Sequence, residues 1–188
     1  MNEITLGIIA LILVPLGAFF NYLWRKYFTT PYLTIELRRN GGQSSPIGYS
    51  NKTPLTPEGY LDASKAIQFF HLTWNMELII TNNSDNTAFF PKLNFKENNI
   101  LLSDIETINE LEPIKTGETK ILNCKYIYIE EVGLGERTDL KDFPVQIKNL
   151  KILLGYQNGQ RTKFYTLYTF LNKNNEQYKW RKPKNYST

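Results

Sequence analysis

From Ile4 to Trp24 the chain runs for 21 residues without a charge, and 16 of them are hydrophobic. At 1.5 Å per residue a helix of that length reaches ~30 Å, the thickness of a bilayer's hydrocarbon core. No polar face interrupts the run, which sets it apart from a helix that packs one side on a soluble core. The exceptions, Thr5, Gly7, Pro15, Gly17 and Asn21, are all tolerable in a membrane helix, and Pro15 predicts a kink. A secretory signal would want a basic start, a shorter apolar run and a small-residue cleavage site. Here the start is Met1-Asn2-Glu3 and the exit is Phe19-Phe20-Asn21-Tyr22-Leu23-Trp24. The expectation is an uncleaved N-terminal transmembrane anchor and interface over residues 1–28.

Orientation follows from the basic residues. None precedes the segment, Arg25 and Lys26 follow at once, and Arg38 and Arg39 lie within range. This asymmetry predicts a single-pass membrane protein with its N-terminus outside and the bulk of the chain cytoplasmic. Trp24, Arg25, Lys26 and Tyr27 are the expected interface residues. Gly7, Ala10, Gly17 and Ala18 would let helices approach closely, which leaves self-association through the helix open.

Charge sharpens this division. The formal net charge is +4. Residues 172–188 hold five bases and one acid, whereas residues 1–171 hold 17 of each sign. The last 17 residues are therefore expected as a basic, flexible tail. In it, Lys179, Trp180, Arg181, Lys182 and Lys184 are candidates for anionic-lipid contact, since bases at an anionic surface contribute ~1 kcal/mol each. Specific nucleic-acid binding is not expected, because it wants a wider basic surface and residues 40–171 carry 13 bases against 15 acids.

Between anchor and tail, residues 29–171 read as β. Leu33, Ile35 and Leu37 alternate with Thr34, Glu36 and Arg38, and Leu72, Trp74, Met76, Leu78 and Ile80 alternate through 71–81. Residues 40–59, rich in Gly, Pro, Ser and Asn, read as a long loop, and residues 60–70 as a short helix. Thr87–Phe95 is a strand that Pro91 demotes to an edge or a bulge, and Asn98–Ile105 a further one. Thr119–Val132 is β-branched and aromatic. Leu150–Gln157 and Arg161–Leu171 flank Asn158-Gly159, the preferred pair for a two-residue hairpin turn. About seven strands with turns between them predict an antiparallel β-sandwich, with a small β-barrel as the alternative.

The segment Trp74-Asn75-Met76-Glu77-Leu78-Ile79-Ile80-Thr81-Asn82-Asn83-Ser84 resembles the core strand of immunoglobulin-like sandwiches, a buried Trp leading into an Asn/Ser turn. The resemblance implies an immunoglobulin-like sandwich. The paired cysteines of antibody domains are missing, since the chain has one Cys.

Little here suggests chemistry. One His and one Cys leave no room for a Cys-clustered zinc site or a His-pair metal motif. His71 would need an oriented carboxylate to act as a base. Cys124 falls on the alternation with Leu122 and Tyr126, a core position. The acids of 97–118 and 130–142 lack the spacing of a calcium loop and read as solvated faces. No phosphate loop or nucleophile elbow is present. The chain is expected not to be an enzyme and to need no cofactor.

Two functions fit. One is a membrane-tethered sensor or effector whose sandwich binds a small-molecule ligand or protein partner and clusters the helices. That layout is similar to membrane effectors of bacterial antiphage defence, although those commonly carry two or more spans. The other is a structural or adaptor subunit of a larger membrane complex, with an extracytoplasmic sandwich as a variant placement.

Overall fold

The computed structural model describes residues 3–95, 102–133, 135–136 and 138–184. One helix, α1 (Glu3–Phe28), precedes eight strands: β1 (Leu33–Tyr49), β2 (Ile67–Asn82), β3 (Phe89–Phe95), β4 (Leu102–Ser103), β5 (Thr119–Gly133), β6 (Lys151–Gln157), β7 (Lys163–Thr169) and β8 (Asn174–Lys179). They form two four-stranded antiparallel sheets, β1-β2-β5-β4 and β3-β6-β7-β8. This is the arrangement of a β-sandwich.

The core is what the alternation predicts. Leu33, Ile35 and Leu37 of β1 and Leu72, Trp74, Met76, Leu78 and Ile80 of β2 are buried. They face Ile152, Leu154, Tyr156, Phe164 and Tyr168 of the second sheet within one cluster. Cys124 is in that cluster, and burial pushes its thiol up to about 11. The Trp74 indole N–H donates to the Asp142 carbonyl at 3.0 Å, fastening the 138–150 segment over the core. β3 is an edge strand whose register slips between Phe89 and Lys92, the position of Pro91.

The two sheets close through side chains, not through a continuous backbone ladder. Asn175 of β8 accepts from the Ile35 N–H at 2.8 Å and donates to the Ile35 carbonyl at 3.0 Å. Gln177 donates to the Leu33 carbonyl at 2.8 Å and accepts from the Tyr156 hydroxyl at 2.7 Å. Thr166 also donates to the Leu33 carbonyl, at 2.9 Å. These amides satisfy backbone groups of β1 that a closed barrel would pair with a further strand.

Four expectations change. Residues 40–49 belong to β1, paired with β2 as far as Tyr49–Gln68. The glycines mark register shifts inside a strand, with Gly41 at φ 127° beside one of them. Residues 174–179 form β8, so the segment expected as a flexible tail is an edge strand, held by the Asn175 and Gln177 bonds. The short helix expected at 60–70 shrinks to one 3-10 turn, Ala63–Lys65.

The fourth is the Asn158-Gly159 hairpin, whose loop is longer than two residues: Gln157 pairs with Lys163. A two-residue turn would set Lys163 and Arg161 opposite Leu154 and Tyr156, on the core face. The observed register instead pairs Tyr156 with Phe164 and Leu154 with Thr166. Burial overrides the turn preference, because a slip to the two-residue register would send charges into the core.

Candidate functional site

Two turns, one in the β6–β7 hairpin and one between β2 and β3, grip the chain where α1 ends. Asn158 donates to the Thr29 carbonyl at 3.0 Å, while its own Oδ1 accepts from the Gln160 and Thr162 N–H groups. On the other side, the Tyr32 N–H donates to Ser84 at 3.1 Å and the Asn83 N–H to the Tyr32 carbonyl at 2.9 Å. Behind this second turn Asn82, fully buried, donates to the Asn86 and Ile114 carbonyls and accepts from Ser84. The helix therefore leaves from one defined end of the sandwich.

The same end is basic. Arg161 and Lys163 flank the start of β7, and β8 delivers Lys179, Trp180, Arg181 and Lys182 beside them, with the Trp180 N–H donating to the Lys163 carbonyl at 2.8 Å. Lys179 is half-buried over the Phe164 and Trp180 rings, at 5.6 and 5.4 Å, and burial lowers its pKa. Pro183 is buried, which holds this segment on the domain. Phe90, Arg161 and Trp180, all near this end, adopt left-handed backbone with φ of 53°, 60° and 69°. For bulky residues that conformation is costly, and such strain concentrates at functional sites.

A groove of about 250 Å³ opens on the outer face of the second sheet at this end. Its register follows from the pairings Lys92–Gly155, Gly155–Tyr165 and Gln157–Lys163. Lys92, Lys163 and Lys182 line it together with Asn94, Gln157, Tyr165 and Phe90. Glu110 is the sole acid among the described lining residues, and it pairs with Lys92 at 3.1 Å. Gly155 forms the floor. A Cβ there would lie 3.3 Å from the Tyr165 ring, so a larger residue would push the ring aside.

Of the residues proposed for lipid contact, Lys182 enters the groove, Lys179 packs on aromatic rings, and Trp180, Arg181 and Lys184 are exposed beside them. Lys92 and Lys163 were not legible as site residues, because Lys92 is a single lysine in an apolar run and Lys163 sits among the polar residues that follow the turn. The β3–β6 and β6–β7 registers place both on the face that Lys182 lines. Trp24 is exposed and stacks on Phe28 at 4.3 Å, while the side chains of Arg25, Lys26 and Tyr27 lie outside the described residues.

Along α1 the described side chains from Leu11 to Trp24 are exposed except Leu23, which is half-buried. Among the described residues no helix is long and apolar enough to cross a membrane, so the expected anchor lacks support there. Among the same residues no group of three or more His, Cys, Asp or Glu is placed to hold a metal ion. His71 stands opposite Ser45 and Ile129, neither of which carries a carboxylate. Set beside known proteins, the chain matches no family model, and no curated protein or solved structure resembles it significantly.

Proposed function

We propose that this protein is a non-enzymatic binding module tethered to a membrane by its N-terminal helix, with the basic end of the sandwich against the headgroups. One observation carries the reading: the C-terminal bases fold back to the end from which α1 departs. The uncharged run Ile4–Trp24 supports the tether. So does the exposure of its described apolar side chains, which nothing in the sandwich covers. Such a surface is costly in water and ordinary in lipid. The Arg25-Lys26 exit favours a cytoplasmic sandwich.

The strand order supports an immunoglobulin-like topology. Sheets β1-β2-β5-β4 and β3-β6-β7 follow the ABED and CFG order of constant-type domains, with β8 added. Trp74 lies on the second strand and not the third, where antibody domains carry theirs. Ligand binding that clusters the helices, as in an antiphage-type effector, is the functional extension of this reading.

An adaptor role is the second reading. β1, β2 and β5 have 17, 16 and 15 residues against 7 in β3, β6 and β7. At ~3.3 Å per residue the first sheet runs well past the second. Its far end exposes Ile47, Tyr49, Ile127 and Ile129, a surface suited to a protein partner.

Carbonate extraction of membranes and protease treatment of intact spheroplasts test the tether. Retention in the pellet with a protected sandwich is the expected result. Release by carbonate overturns the tether, and digestion from outside overturns the cytoplasmic placement.

A further inference from the structure

We propose that the groove between β3, β7 and the segment after β8 binds a phosphomonoester group carried on a small polyol or sugar ring. Three lysines from three separate elements, Lys92, Lys163 and Lys182, line one cavity. With Glu110 already paired to Lys92, the lining carries a formal charge of about +2, which a phosphomonoester at −1.5 to −2 balances. A carboxylate ligand would leave a cation unmatched. Lysine acts on phosphate as a flexible point charge, so the cluster needs no bidentate geometry.

The remaining lining suits a hydroxylated ring. Asn94 and Gln157 offer amides, and Tyr165 presents an aromatic face beside a floor that Gly155 keeps free of side chain. The volume, about 250 Å³, falls just below the ~300–1,000 Å³ usual for drug-sized ligands and so suits one ring with a single phosphate. Gln157 adjoins Asn158, which holds Thr29 at the end of α1. The groove therefore opens beside the helix exit, and a phosphorylated lipid headgroup and a free sugar phosphate share the chemistry it recognises. Only the lipid source rests on the tethered reading.

The test uses the full chain in phosphatidylcholine nanodiscs. Inositol monophosphate is titrated calorimetrically in one arm, and phosphatidylinositol monophosphate is incorporated into the discs in the other. Saturable binding that the triple variant K92Q/K163Q/K182Q weakens about tenfold or more, and that K148Q/K151Q/K173Q leaves unchanged, is the expected result. Binding of the soluble probe assigns a free ligand, whereas binding only to lipid-loaded discs assigns a headgroup. Gly155→Val, which fills the floor without altering charge, should weaken binding likewise and covers the case in which the triple variant does not fold. Absence of binding in both arms, or equal loss in the two lysine sets, overturns the proposal. The soluble arm reads the same in detergent if the chain proves not to be membrane-inserted, so the two readings fail separately.

Discussion

Asn82 has no exposed surface, yet its amide is fully engaged with Asn86, Ile114 and Ser84. Its replacement by Ala would remove these four hydrogen bonds, although the Ile114 carbonyl keeps the Ala88 N–H and the Asn86 carbonyl keeps the Ser84 hydroxyl. At a net ~0.5–1.5 kcal/mol per bond, Asn82→Ala should lower stability by about 2–4 kcal/mol, measured as a shifted urea midpoint at constant slope. Asn82 was legible only as part of a turn cluster, since a sequence does not reveal which turn asparagine faces inward. Cys124 was legible, because the alternation with Leu122 and Tyr126 put it in the core. With its thiol pushed up to about 11 by burial, iodoacetamide at neutral pH should label it only after unfolding, by mass spectrometry. Rapid labelling of the folded chain would contradict the burial. Lys92 and Lys163 had no signal at all: a lysine on an outward strand position looks the same whether it meets solvent or two other lysines.

At the scale of elements, alternation works where both faces of a strand have a settled environment. On β2 the positions it marks, Leu72, Trp74, Met76, Leu78 and Ile80, are all buried, although Thr73 and Ile79 on the opposite face are buried too. On β5 it holds through Tyr126 and then fails at Tyr128, which is exposed, because the shorter second sheet has ended. The first half of β1 was readable and the second was not. Gly, Ser and Pro in 40–49 carry a loop composition, but β2 offers a long partner edge that pairs them anyway. β8 reads as polar tail for a related reason: its stabilising residues are Asn175 and Gln177, which contribute through hydrogen bonds to β1 and not through apolar area. The double variant N175A/Q177A should therefore destabilise the domain by ~2–4 kcal/mol, read by thermal or urea unfolding. A dispensable tail would show no change.

For the whole molecule, α1 and the sandwich make separate demands on solvent. The described side chains of α1 are mostly exposed and apolar, while the sandwich buries its own core. Removal of residues 1–28 should leave the unfolding free energy of the sandwich, from urea titration, within ~0.5 kcal/mol of the full chain, since surface changes away from packed features rarely exceed that. It should also abolish co-sedimentation with phosphatidylcholine vesicles. A large loss of stability would mean that the helix packs on the domain. What the sequence by itself determined is the split between an uncharged N-terminal stretch and a β-rich remainder, along with the inward face of each long strand. Both are local: they follow from hydropathy and from a side-chain period of two. Tertiary structure alone decided the register of the last hairpin, the docking of residues 174–179 as a strand and the placement of Lys92, Lys163 and Lys182 around one groove. Each of these depends on which distant segment supplies the partner: a core to exclude Lys163, a β1 edge to bond Asn175, and a shared outer face to gather isolated charges.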